Sequence, residues 1–272
     1  MPKLIYKYYR INEYLFDVLI SNQLYFSSIT QFNDPYDCHF TIKDLPSLEV
    51  FESFWKQFFK EKEKYQQYLE LYKSNPDKCL SPILNTLQRL LNYYGICCFT
   101  EHKDNLLMWS HYADSHKGVC LGFDYDMMTK QFTQFDKVDY KDEPYFYELT
   151  DVAQATAKAI LTKSSKWQYE NEIRFLMERS KSCGFNIQAL KEINFGSRSH
   201  PRHRLNIIHL VQKLGYNCSF NQADIIKSNY SLSFSAVNYD ELKKEVLEAS
   251  KDIRFSMTIH LDEMREKIKP KE

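Results

Sequence analysis

Glycine is scarce in this sequence, with 6 residues, and proline is little commoner, with 8. That excludes a collagen-like or low-complexity chain. It also leaves no G-x-G-x-x-G or Walker-type loop to cradle a phosphate. Neither sign of charge prevails: 36 Lys and Arg offset 36 Asp and Glu, so neither a basic nucleic-acid stripe nor an acidic tail is expected. No stretch reaches the roughly 18–20 consecutive apolar residues of a membrane helix, and MPKLIYKYYR lacks the apolar run of a signal peptide. The expectation is a cytoplasmic protein without a membrane partner. Disulfide-type spacing is missing too: the seven cysteines are odd in number and scattered, apart from adjacent Cys97 and Cys98, which reads as reduced thiols. There is no G-x-S-x-G elbow for a serine nucleophile.

What the chain has in plenty is aromatic residues, 20 Tyr and 19 Phe, enough to line a pocket as well as fill a core. LIYKYY (4–9), LYFSS (24–28), GICCFT (95–100), VCLGFD (119–124), KVDY (137–140), residues 166–176 and KEINF (191–195) read as strands. Two more short strands are expected within 216–236. Apolar positions 11, 15, 18 and 19 mark a helix that Asn22 ends. Residues 46–73, with Phe51, Trp55, Phe58 and Phe59 at helical spacing, and residues 81–93 read as a helical insert at about 45–92. Asp104 or Asn105 caps a helix to about His116, closed by Lys117 and Gly118. Further helices are expected at 148–163 and, behind Pro201, at 200–214. A polar helix at 239–250 precedes a charged tail at 264–272. The reading is α+β: one domain, 1–272, with a mixed or mostly antiparallel sheet core and a helical insertion.

Three constellations can carry chemistry. On a helix from 104 to 116, Trp109, Tyr112 and His116 fall on one face, as a stacking surface or as core. In FNDPYDC, Asp34 before Pro35 favours an Asx-type turn. Asp34, Asp37, His39 and His111 have the types of hard-metal ligands but no recognised metal-loop spacing, so no metal is expected. In KWQYENEIRFL, period-two alternation puts Glu170, Glu172 and Arg174 on one strand face. That face is either a solvated charge ladder or the wall of a site.

Four segments occur in order: residues 6–38, CCFTEHKDNLLMWSHYADSHKGVCLGFD, TKSSKWQYENEIRFL and KEINFGSRS. Together they resemble the bacterial family known as domain of unknown function 2971, some of whose members are labelled abortive-infection proteins. The strand–helix–strand opening is also similar to ADP-ribosyltransferase domains. That resemblance implies NAD as cofactor, Tyr8 or Arg10 in the first-strand role, Ser27 and Ser28 at the second-strand position, Tyr112 as a ring on nicotinamide, and Glu172 as the late glutamate. Asn33, Asp34, Trp109, His111, Trp167, Glu170 and Arg174 are expected around the cofactor. The function implied is a defence- or toxin-type effector that binds NAD or a related nucleotide and transfers or hydrolyses ADP-ribose, with a protein or nucleic-acid acceptor. The alternatives are a non-catalytic nucleotide or ligand sensor and a metal-dependent nuclease.

Overall fold

Strands form where apolar or aromatic runs are bounded by turn residues, and a computed structural model describes them over residues 3–149 and 151–249. Eight make the main sheet: β1 (Leu4–Tyr9), β2 (Tyr94–Thr100), β3 (Val119–Asp124), β4 (Phe135–Lys137), β5 (Glu172–Glu178), β6 (Leu190–Phe195), β7 (Ser219–Ile226) and β8 (Ser231–Ala236). The helices are α1 (Glu13–Ser21), α2 (Leu48–Lys56), α3 (Glu63–Ser74), α4 (Pro76–Tyr93), α5 (Leu106–Tyr112), α6 (Tyr125–Gln131), α7 (Val152–Leu161) and α8 (Pro201–Lys213). Residues 239–249 are also helical. The fold is α+β with a mixed, mostly antiparallel sheet, as expected. The charged tail at 264–272 lies outside the described residues.

The chain divides into two compact units. Among the described residues the first comprises 3–7, 21–102 and 124–189 apart from 150, and the second 8–20, 103–123 and 190–249. In the first unit the sheet order is β1-β2-β5-β4. Strand β5 is antiparallel to β2, with Glu172 opposite Thr100 and Arg174 opposite Cys98, and antiparallel to β4 on its other side. In the second unit the order is β8-β7-β6-β3. Strands β6 and β7 are parallel and joined by α8, the crossover that parallel pairing requires. His200 caps α8, and Pro201 fixes its first turn.

The helical insert belongs to the first unit, but it does not contain one long helix at 46–73. Phe51 of α2 stacks on Tyr72 of α3 at 4.0 Å, whereas a straight helix would hold residues 51 and 72 about 30 Å apart. The chain therefore breaks between the two helices so that both can feed one apolar cluster with α4, Tyr147 and Ala155. Ser47 caps α2, and Asn75, followed by Pro76, caps α4.

Three further expectations need correction. The helix expected to reach His116 stops at Tyr112, and Asp114, Ser115 and His116 all take positive φ, so a seven-residue helical repeat does not align Trp109 with His116. Their rings are stacked nonetheless, 6.2 Å apart, because the left-handed turn folds back. KVDY is not one strand: Lys137 ends β4, and a separate strand, Asp139–Lys141, pairs in parallel with Thr162–Ser164. The segment 166–176 is not a continuous strand either. Ser165–Glu170 is a 3-10 turn, Asn171 is left-handed with φ 42°, and β5 begins at Glu172.

A buried ion network as the candidate functional site

Arg174 is the centre of the site. It points inward from β5, fully buried, because alternation sends Ile173 and Phe175 to the opposite face, where Phe175 packs on Phe99 and Phe135. Its guanidinium meets both oxygens of Asp37 at 2.7 and 2.8 Å, and its Nε donates to Glu172 Oε1 at 2.9 Å. Nη1 donates to the Ile160 carbonyl and to Cys38 Sγ. Phe32 lies 5.5 Å from the guanidinium carbon.

Lys163 is the second cation and is 6% exposed. Its ammonium donates to Glu170 Oε2 and, at 2.9 Å, to Glu172 Oε2, and it lies 3.4 Å from Asp37 Oδ2. Thr162–Ser164 and Asp139–Lys141 alternate as strands should. Lys163 and Tyr140 face the network, while Asp139, Lys141 and Thr162 line a groove of about 750 Å³. The Tyr140 hydroxyl accepts from the Glu172 backbone N–H at 2.9 Å.

Local chemistry explains how these residues arrive. In FNDPYDC, Asp34 accepts from the Tyr36 N–H at 2.9 Å, the expected Asx turn, and this presents Asp37 and Cys38 inward. The 3-10 turn and left-handed Asn171 bring Glu170 to Lys163 although it is not on β5. Trp167 and Tyr169, both half-buried, sit at the outer edge of the turn with ring centroids 5.9 Å apart, and Lys163 Nζ is 5.4 Å from the Trp167 ring.

Three carboxylates face one ammonium and one guanidinium, so the network carries a formal excess of one negative charge. Burial pushes the Glu172 carboxyl up, but Arg174 and Lys163 outweigh it and hold Glu172 far below the usual carboxylate range. Burial likewise opposes the charge on Lys163, and Glu172, Asp37 and Glu170 overcome it and raise the ammonium. Cys38 is pushed up to about 12, chiefly by burial. It is a neutral thiol, not a nucleophile.

Of the residues expected at the site, Glu170, Glu172, Arg174 and Trp167 are brought together here, and neither the solvated ladder nor an open wall describes them. Glu172 is 4% exposed. Ser27 forms a bridge with Ile96, two residues before Cys98, which pairs with Arg174. Ser28 and Thr30 share a hydrogen bond at 2.7 Å. Asp34 shapes the turn, and Asn33 beside it is exposed. Tyr8, Arg10, Trp109, His111 and Tyr112 belong to the second unit. There Tyr8 packs edge-on to fully buried Trp109 at 5.1 Å, Trp109 Nε1 donates to the Lys103 carbonyl at 2.7 Å, and Arg10 and His111 are exposed.

Lys163, Cys38 and Tyr140 were not singled out from the sequence, and Asp37 was weighed only for metal. The available signal was the recurrence of TKSSKW and FNDPYDC among the segments that carry the family resemblance. Among the described residues no group of three or more His, Cys, Asp or Glu is arranged to hold a metal ion, and no helix is long and apolar enough to cross a membrane. No curated protein and no solved structure matches the chain. A family model described as "Protein of unknown function (DUF2971)" matches residues 108–175, a stretch that includes Lys163, Glu170, Glu172 and Arg174, and the match supports a place for the chain in that family.

Proposed function

We propose that the protein is an effector of bacterial defence that binds NAD or a related nucleotide beside the ion network and transfers or hydrolyses its ADP-ribose. The observation that carries this reading is the network's formal excess of negative charge behind the half-buried Trp167 and Tyr169 rings. The aromatic pair offers a stacking surface for a cationic nicotinamide ring. Breaking the nicotinamide–ribose bond develops positive charge on the sugar, which fixed, water-excluded negative charge stabilises. Glu172 is held ionised, as that role requires. The assignment to defence rests on the family resemblance, and the site on first-unit residues alone.

A second reading, a nucleotide or ligand sensor without turnover, is favoured by a different observation. Both oxygens of Glu172 are already taken by Arg174 and Lys163, so neither is open to a ribose hydroxyl. One experiment separates the two. Wild type and Glu172→Gln are incubated with labelled NAD and cell lysate, and the fold of the variant is checked by circular dichroism. Transfer or nicotinamide release that is lost in a folded Glu172→Gln supports the enzyme. A melting temperature raised by NAD without consumption supports the sensor. Neither turnover nor a shift with NAD or any other nucleotide ends both.

A further inference from the structure

The helical insert contains a groove of about 770 Å³, inside the range of small-molecule sites. It belongs wholly to the first unit, away from the ion network and independent of its reading. Its wall is almost entirely carbon. Phe54, Trp55, Phe58, Phe59 and Tyr68 supply one side, and Ile83 and Leu90 of α4 the other. Trp55 is stacked on Tyr68 at 4.4 Å, which makes that wall rigid. Phe58, which is 58% exposed, carries the apolar lining out to the surface.

Polar groups are few: the Tyr68 and Thr86 hydroxyls, the Cys79 thiol, the Trp55 indole and one ammonium. Lys78, exposed in the first turn of α4, is the single charged side chain among the described residues lining the groove, and no carboxylate lines it. The Trp55 indole N–H, buried in the wall, has no acceptor among the described residues. A long apolar trough whose charged handle is cationic is complementary to an amphiphile with a negative head. A cationic occupant would leave Lys78 facing like charge. An anionic peptide would bring a backbone whose polar groups this wall could not satisfy.

We propose that this groove binds a medium- or long-chain monocarboxylate, with the alkyl chain between α2–α3 and α4 and the carboxylate at Lys78. The experiment is titration of the full chain with decanoate, dodecanoate and dodecyltrimethylammonium below their micelle concentrations, followed by tryptophan fluorescence and calorimetry. Dodecanoate should bind with a submillimolar Kd, about fifteenfold tighter than decanoate, because each buried methylene gives about fourfold. Lys78→Glu should weaken dodecanoate several-fold and reverse the preference towards the ammonium. That variant leaves the fold intact, since an acidic residue suits the first turn of a helix. Phe58→Asp, at an exposed position, should abolish carboxylate binding. No dodecanoate binding up to about 1 mM overturns the proposal. So does equal affinity for the two amphiphiles, or indifference of dodecanoate binding to Lys78→Glu and Phe58→Asp.

Discussion

Arg174 satisfies two carboxylates, a thiol and a backbone carbonyl from a site with no exposure. Removing one partner of a buried ion pair leaves the rest uncompensated, at a cost of about 3–5 kcal/mol. Arg174→Met should therefore lower stability by about that amount in urea unfolding, while Lys141→Met, at the exposed end of a surface pair, should change it by less than about 1 kcal/mol. Acid should act through Glu172. Its folded pKa is depressed, so its contribution is complete above the unfolded value of about 4.3 and is lost as pH falls from there towards the folded value. Lys163 is shifted upward, so its contribution is present below the ordinary lysine value of about 10.4 and is lost only as pH rises through its folded value. Thermal denaturation across pH should show a broad plateau that falls away on the acid side near pH 4, and the slope should flatten in Glu172→Gln. From the sequence, Glu170, Glu172 and Arg174 were legible as one cluster, but their burial was not. Three charges in five residues look like a wet face until the partners that neutralise them are known.

At the scale of elements, most strands and helices were legible because their apolar period and caps agree. Asn105 caps α5 with both Leu107 and Met108 N–H groups, and Asn22 ends α1 with φ 52°. Two of the failures lie where a left-handed residue interrupts a plausible period. Asn171 separates the 3-10 turn from β5, and three consecutive positive-φ residues stop the chain after α5. Asn tolerates this region better than other residues with a Cβ. Asn171→Ala should cost about 1–2 kcal/mol and Asn171→Gly close to nothing, which differential scanning calorimetry can read. Gly118 was expected as a helix-closing glycine, but it serves close approach instead. A Cβ there would lie 2.1 Å from the Tyr9 carbonyl and 2.9 Å from Ala113. Gly118→Ala should be poorly folded, with reduced soluble yield and a lost cooperative transition.

For the whole molecule, the α+β class was legible from the mixture of elements, whereas the meeting of Asp37 with Arg174, 137 residues apart, was not. Periodicity reports on neighbours along the chain and says nothing of partners across it. All seven cysteines are free thiols, so denatured protein should release seven equivalents of thiol without reductant. In native protein Cys38, Cys97 and Cys120, all buried, should resist alkylation at pH 8, and Cys183 should be modified sooner, as peptide mass mapping can establish.

The ion network has a consequence for descent. Its five charged members hold one another, and replacing either cation strands buried carboxylates. A lineage can leave this arrangement only through changes that arrive in sets. Positions 37, 163, 170, 172 and 174 should therefore be inherited as one block: kept together across relatives, or exchanged together for an uncharged core of similar volume.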